Sequence, residues 1–307
     1  MSPLIERALA GDRVAIAKVL SQVERGGDAA REVVAALHKH TGRAWSIGVT
    51  GAPGAGKSTL TDQLVVRIRA GGDEVGVLAV DPSSPFSGGA ILGDRVRMQQ
   101  HSTDTGVFIR SMATRGHLGG LALATPQAVR VLDAVGKPWI VVETVGVGQV
   151  EVEIAGQADT TIVVVNPGWG DAVQAAKAGL LEIADIFVVN KADRPGVEDT
   201  VRDLEGMLEM AGMTEWRPPV VRTVATTGDG VDDLWAAVRE HRAHLEHDGR
   251  LERRRRARLR DELRAIVAER LREASDAACR GDAFEALVDE VEARRRDPYA
   301  AAEALLP

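Results

Sequence analysis

Residues 51–58 read Gly-Ala-Pro-Gly-Ala-Gly-Lys-Ser and follow the apolar stretch Trp45 to Thr50. This fits G-x-x-x-x-G-K-[ST] in full, with a strand pattern before it and a helix pattern after it. The constraint on the fold is strong, because the pattern works only at a strand-to-helix turn. There Gly51, Gly54 and Gly56 let backbone N–H groups curl toward phosphate oxygens. Lys57 supplies a positive charge for the β- and γ-phosphates, and Ser58 supplies a hydroxyl for Mg²⁺. Ala52, Pro53, Ala55 and Thr59 complete the cradle, and the helix N-terminus adds its partial charge. Lys57 is accordingly a candidate catalytic residue.

The rest of the chain carries the rhythm such a turn needs. Strand patterns at 45–50, 75–80, 107–110, 138–143, 160–165, 186–190 and 219–223 alternate with helix patterns at 58–70, 125–135, 171–183, 198–210 and 231–246. Several strands are unbroken apolar runs, such as Ile162 to Val165 and Ile186 to Val189, which suits parallel strands buried on both faces. The expected class is α/β, a P-loop doubly wound, mostly parallel sheet over 44–245. Residues 1–43 read as an N-terminal helical extension, better explained as a cap on the sheet than as a partner-binding arm. Residues 246–307 read as a charged helical arm with a thin apolar seam through Leu251, Leu259, Leu263, Ile266, Val267 and Leu271, the kind of stripe that packs on another helix.

Composition excludes several function classes. The 307 residues carry a net charge of −7 and few aromatics, which argues against general nucleic-acid binding. Cys279 is the only cysteine, so disulfide and cysteine–metal scaffolds are out and a reducing, cytoplasmic setting is expected. No run of 18 apolar residues and no secretory leader pattern is present, so no membrane partner is expected.

A second motif identifies the base. Asn190-Lys191-Ala192-Asp193 follows a buried-strand pattern about 130 residues beyond the phosphate loop. The Asp193 carboxylate can accept both N1–H and the 2-amino group of guanine, a pattern adenine lacks. A polar site of this kind discriminates by roughly 10⁴-fold. Asn190 and the stem of Lys191 would hold the loop and cover the base. Thr223, Ala225 and Thr226 follow the next strand, with the Ala225 N–H expected at guanine O6. Glu143 and Gly146 end the strand at 138–143, positions suited to Mg²⁺ through water and to the γ-phosphate. Asp81 and Asp94 bracket the stretch 82–93, read as a metal-linked switch. Val147 occupies the place where many small GTPases put the glutamine that orients water, so slow unaided hydrolysis is expected.

With these residues the chain resembles the MeaB/MMAA/ArgK family, GTPase chaperones of adenosylcobalamin-dependent acyl-CoA mutases such as methylmalonyl-CoA mutase. The resemblance runs through Gly51–Thr59, Val80–Phe86, Gly93–Met98, Arg110–Gly120, Glu143–Gln149 and Asn190–Asp193. It implies GTP/GDP and Mg²⁺ as cofactors, a mutase partner whose cofactor loading is gated, and a homodimer built on the C-terminal helices. It also implies a partner-coupling loop at 167–177, with Asp171, Gln174 and Lys177 as its polar residues. Asn166-Pro-Gly-Trp-Gly departs there from the more apolar stretch usual in the family. The mutase client could therefore act on methylmalonyl-, isobutyryl-, hydroxyisobutyryl- or ethylmalonyl-CoA. The family's older label, an arginine/ornithine transport kinase, finds no support in the sequence.

Three further features admit bland readings. His241, His244 and His247 recur every three residues. A metallochaperone could use such imidazoles, but without carboxylate or cysteine partners they read as a solvated face. His117 sits among glycines and reads as a loop hydrogen-bonding group. Seven arginines lie between Arg250 and Arg260, interleaved with acids, and read as a solvated helix face.

Overall fold

Seven strands pair in parallel in the order β3-β2-β4-β1-β5-β6-β7 in the computed structural model. They are β1 (Trp45–Gly51), β2 (Val75–Asp81), β3 (Val107–Ala113), β4 (Trp139–Thr144), β5 (Thr160–Val165), β6 (Ile186–Asn190) and β7 (Val220–Thr223). The structure describes residues 2–81, 101, 103–113, 118–144, 156–168, 182–210, 212 and 215–305, with only the backbone at Asp81, Ala113 and 118–123. The strand order reverses across β1, so the loop after β1 opens at a topological switch point, where sheets of this type bind ligands. The doubly wound expectation holds.

Strand periodicity sorts the core into two layers. On one face Ile47, Val49, Val141, Ile162, Val164 and Val188 pack under α4 (Lys57–Ala70) and α7 (Val231–Glu246). On the other face the intervening residues point away. Ile140 and Val142 lie under α5 (Leu118–Ala134), and Val163, Phe187 and Val189 lie under α6 (Val197–Met210). Helix α5 begins seven residues before the expected 125. Gly119 and Gly120 are poor helix formers, yet both lie inside the helix. Burial of Ala128, Val131 and Leu132 against the sheet outweighs that local propensity. The expected helix at 171–183 lies outside the described residues except at its end.

The N-terminal residues form α1 (Pro3–Leu9), α2 (Arg13–Arg25) and α3 (Gly27–Leu37). Asp12 caps α2 by accepting from Val14 and Ala15 N–H at 2.9 and 3.0 Å. Ile16, Val19, Leu20, Val33 and Leu37 share one core with Phe108 and Leu132. Arg110 of β3 donates to Ser21 and Glu24 of α2 at 3.0 and 2.7 Å. These helices therefore cover the β2/β3/β4 side of the sheet.

The chain divides into two compact units, Met1–Arg255 and Arg256–Pro307. Helix α8 (Arg250–Ala278) begins in the first. There the expected solvated arginine face gives way at two positions. Arg254 donates to Asp185 at 2.8 and 2.6 Å, and Arg255 donates to Asp159 at 3.1 and 2.8 Å. Both aspartates are buried, so each requires a cation close by, and two neighbouring arginines supply them. The second unit holds the remainder of α8 with α9 (Asp282–Glu292) and α10 (Pro298–Glu303). In it Leu259, Leu263, Val267 and Leu271 are all exposed on α8.

Burial raises the Asp185 carboxyl, but the His241 ring beside it and the hydrogen bonds from Arg254 outweigh it and hold the group below its ordinary value of 3.8. A lowered folded value means the unfolded chain binds this proton more readily. The stabilisation is thus full above about pH 4 and is lost as pH falls through the folded value. Arg254→Met should cost about 3 kcal/mol at neutral pH by leaving Asp185 without its strongest partner. It should also move the acid-unfolding midpoint to higher pH, read by circular dichroism across a pH series.

Candidate functional site

The loop after β1 is shaped by what its glycines touch. Gly51 has φ 133°, and a Cβ there would lie 1.9 Å from the Val164 carbonyl oxygen. Gly56 has φ 93°, and a Cβ there would lie 2.4 Å from Asn190 Nδ2. No side chain fits at either place. Lys57 is buried, and its Nζ donates to the Gly51 and Ala52 carbonyls at 2.7 and 3.0 Å. The cation thus rests inside the loop it serves. Ala52 and Ala55 are buried, while Pro53, Gly54 and Thr59 face solvent.

Asn190, at the end of β6, joins this loop to the base-recognition motif. Its Nδ2 donates to the Ala55 carbonyl at 2.7 Å, and its Oδ1 accepts from Thr223 Oγ1 and the Ala225 N–H, both at 3.0 Å. Lys191 sits in the left-handed region at φ 59°, a conformation costing on the order of 1 kcal/mol for a non-glycine residue. The Ala192 N–H donating to Thr223 O at 3.0 Å helps hold it. Its Nζ donates to the Gly54 carbonyl at 2.6 Å, so the lysine bridges the two motifs. Asp193 and Thr226 are exposed beside it. The Ala225 N–H, expected at guanine O6, is engaged with Asn190 in this structure.

A pair of oxygens lies beside the cradle. Ser58 Oγ, in the first turn of α4, donates to Glu143 Oε1 at the end of β4, and Glu143 is 2 % exposed. Thr144 Oγ1 donates to Thr50 Oγ1 at 3.1 Å and stitches β4 to β1 just below. A hydroxyl and a carboxylate in contact are hard oxygen donors of the kind Mg²⁺ takes, so the residues present fit that ion. Asp81 lies on the strand beyond β4, at the same carboxyl edge. The side chain of Asp81, and the whole of Asp94, Gly146, Asp171, Gln174 and Lys177, lie outside the described residues. His117, Val147 and Gln149 do also.

The profile of the family described as Methylmalonyl Co-A mutase-associated GTPase MeaB matches residues 14–280. The chain belongs to the MeaB family of GTPases. A relative from Pyrococcus abyssi, which carries a provisional GTPase name, is 52 % identical over 307 residues, 99 % of this chain and 95 % of its own. GTPase ArgK of Escherichia coli is 36 % identical over 81 % of this chain and 78 % of its own. The mouse protein named methylmalonic aciduria type A homolog, mitochondrial, is 36 % identical over 67 % of this chain and 51 % of its own. A solved structure described as an LAO/AO transport system kinase superposes with a TM-score of 0.71 at 26 % identity, covering 98 % of this chain and 95 % of that one. The MeaB-family chain is thus a P-loop GTPase that binds guanine nucleotide.

Of the three histidines, His247 is exposed as expected and His241 is not. His241 is 1 % exposed, not solvated. Its Nδ1 lies 2.9 Å from Thr160 Oγ1, which also accepts from Trp45 Nε1 at 3.0 Å, and its Nε2 lies 3.3 Å from Asp185. The i, i+3 spacing put one imidazole on the buried stripe of α7, where a carboxylate from another element awaits it. His244 packs against Trp216 with ring centroids 5.0 Å apart. Among the described residues no cluster of three His, Cys, Asp or Glu side chains could hold a metal ion.

Sequence reading also missed Asp159 and Asp185. The available signal was the Ala-Asp pair directly before each of two apolar strands, Ala158-Asp159 and Ala184-Asp185.

Two substitutions test the site. Asp193→Asn should lose most of the roughly 10⁴-fold preference for guanine over adenine, read by competition of GTP against ATP for a fluorescent guanine nucleotide. Gly56→Ala should disturb both motifs at once, because its methyl group meets Asn190. GDP affinity should fall by at least about tenfold, while the helical content of the protein is kept.

Proposed function

We propose that this MeaB-family GTPase is a chaperone of an adenosylcobalamin-dependent acyl-CoA mutase, and that its nucleotide state gates cofactor loading into that client. The observation that carries this reading is the family match across 14–280, which spans the nucleotide site and reaches through α8. The mouse relative's name, tied to methylmalonic aciduria, supports methylmalonyl-CoA mutase as the first client to test. Cobalamin belongs to the client.

The nucleotide chemistry follows from this chain's own side chains. Lys57 exchanges the Gly51 and Ala52 carbonyls for β- and γ-phosphate oxygens. Asp193 takes the guanine edge, and Asn190 keeps the two halves of the site in register. Ser58 and Glu143, with Asp81 and Asp94, would hold Mg²⁺, which neutralises charge on the phosphates when bound. Gly146 is assigned to the γ-phosphate. Hydrolysis is slow alone, because Val147 offers no group to orient water, and a partner raises it. Asp171, Gln174 and Lys177 are assigned to contact with the mutase, and the working place is the cytoplasm.

We also assign a homodimer to the C-terminal arm. Leu259, Leu263, Val267 and Leu271 recur every four residues and stand 46 %, 62 %, 56 % and 67 % exposed. A stripe of this kind on one helix is characteristic of a helix–helix contact.

Two experiments test the reading. Immobilised protein is offered methylmalonyl-CoA mutase with GDP or with a non-hydrolysable GTP analogue. Retention that differs between the nucleotides is expected, and equal retention or none would overturn the chaperone assignment. Leu263→Lys together with Leu271→Lys should halve the mass measured by light scattering, with GDP affinity unchanged.

A further inference from the structure

Helix α4 begins in the phosphate loop, and its seat fixes where Ser58 and Lys57 stand. The flank that carries Ser58 carries two more polar side chains, Asp62 four residues on and Arg69 seven beyond that. Both meet the turn that leads into β3. His101 Nε2 lies 2.9 Å from Asp62 Oδ1, with the two side chains 8 % and 12 % exposed. The two side chains are thus in close, buried contact. Arg69 grips Asp104 through Nε and Nη2 at 2.8 and 3.0 Å, and Asp104 accepts from the Gly106 N–H at 2.8 Å. At Gly106 a Cβ would sit 2.3 Å from the Arg69 guanidinium carbon, so the turn packs directly on that side chain.

The buried pair is not needed to attach the helix. Leu60, Leu64, Val65 and Ile68 already bury α4 against the sheet. What a buried polar contact adds is a fixed register. The opposite flank has a looser tie, since Arg67 meets Asp232 at 2.5 Å but Asp232 is 80 % exposed. The stiff pin therefore lies on the Ser58 side, one helical turn from the hydroxyl that meets Glu143.

We propose that Asp62 and His101 are positioning residues for GTP hydrolysis. They act through α4, holding Ser58 and Lys57 in place relative to Glu143, and they belong to neither the phosphate nor the guanine motif. A displacement of about 1 Å in a reacting geometry costs up to roughly 100-fold in rate, so loss of the pin should appear in turnover more than in binding.

The test uses the full chain and measures kcat and KM for GTP beside Kd for GDP, normalised to the folded fraction by circular dichroism. Asp62→Asn and His101→Leu should each lower kcat by about tenfold or more, with GDP affinity held within about threefold. His101→Gln, which keeps an amide nitrogen near the Nε2 position, should recover part of the loss. The Asp62→Asn/His101→Leu double variant should be no slower than the worse single variant, because partners in one contact are not additive. Unchanged kcat in the single variants overturns the proposal. So does a rise in KM and GDP Kd that accounts for the whole loss. If His101→Leu fails to fold, Asp62→Asn and His101→Gln decide: normal turnover in Asp62→Asn, or a His101→Gln variant slower than Asp62→Asn, overturns it.

Discussion

The side chain of Asn190 is the point on which the nucleotide site depends. Its amide nitrogen lies where Gly56 has no Cβ, and its two ends tie the phosphate loop to the 223–225 turn. Three segments far apart in sequence, after β1, β6 and β7, are thereby held to a common frame. One amide can do this because all three strands run parallel and end at the same edge. The left-handed backbone at Lys191 follows from the same demand. The chain must turn at once after Asn190 to bring Asp193 beside the loop, and the local strain is held by the pairing of Ala192 with Thr223.

The amino edge of the sheet is organised by a different device. Asp159 and Asp185 stand just before β5 and β6, and each accepts from a backbone N–H of a strand, Ser46 at 3.0 Å and Thr161 at 2.7 Å. Their charges are matched by Arg255 and Arg254, consecutive residues at the start of α8. His241 and Trp216 close the same cluster, Trp216 Nε1 donating to the Asp185 carbonyl at 2.8 Å. Buried carboxylates of this kind add little net stability, but removing a partner is costly. Their value is in register, since they fix where β5 and β6 begin and therefore where Asn190 ends.

The contrast between the two edges explains what could be read from the sequence. Motifs at the carboxyl edge are local: each is a short run of residues whose backbone geometry and chemistry lie within one turn, flanked by strands with a clear period. Gly51–Ser58 and Asn190–Asp193 were legible for that reason, and so was the alternation that sorts the sheet into two faces. The amino edge is made of single residues that acquire meaning only through partners 69 and 96 positions away. An arginine run with interleaved acids looks the same in sequence whether it is solvated or gripping Asp159. Helix α5 failed at its start for a related reason, since Gly119 and Gly120 speak against helix locally and burial of Leu132 on the sheet decides otherwise.

The partners of the two lysines bear on how the site would take up a ligand. Lys57 and Lys191 both donate to carbonyls of the phosphate loop, at Gly51, Ala52 and Gly54. A buried ammonium with no acceptor would be expensive, and the loop supplies acceptors itself. In the proposed function, phosphate oxygens would replace carbonyl dipoles around a Lys57 charge that is already desolvated. Much of the desolvation cost is borne on folding rather than on binding. Charge-assisted hydrogen bonds to phosphate are stronger than those to neutral carbonyls, so the exchange runs toward the ligand.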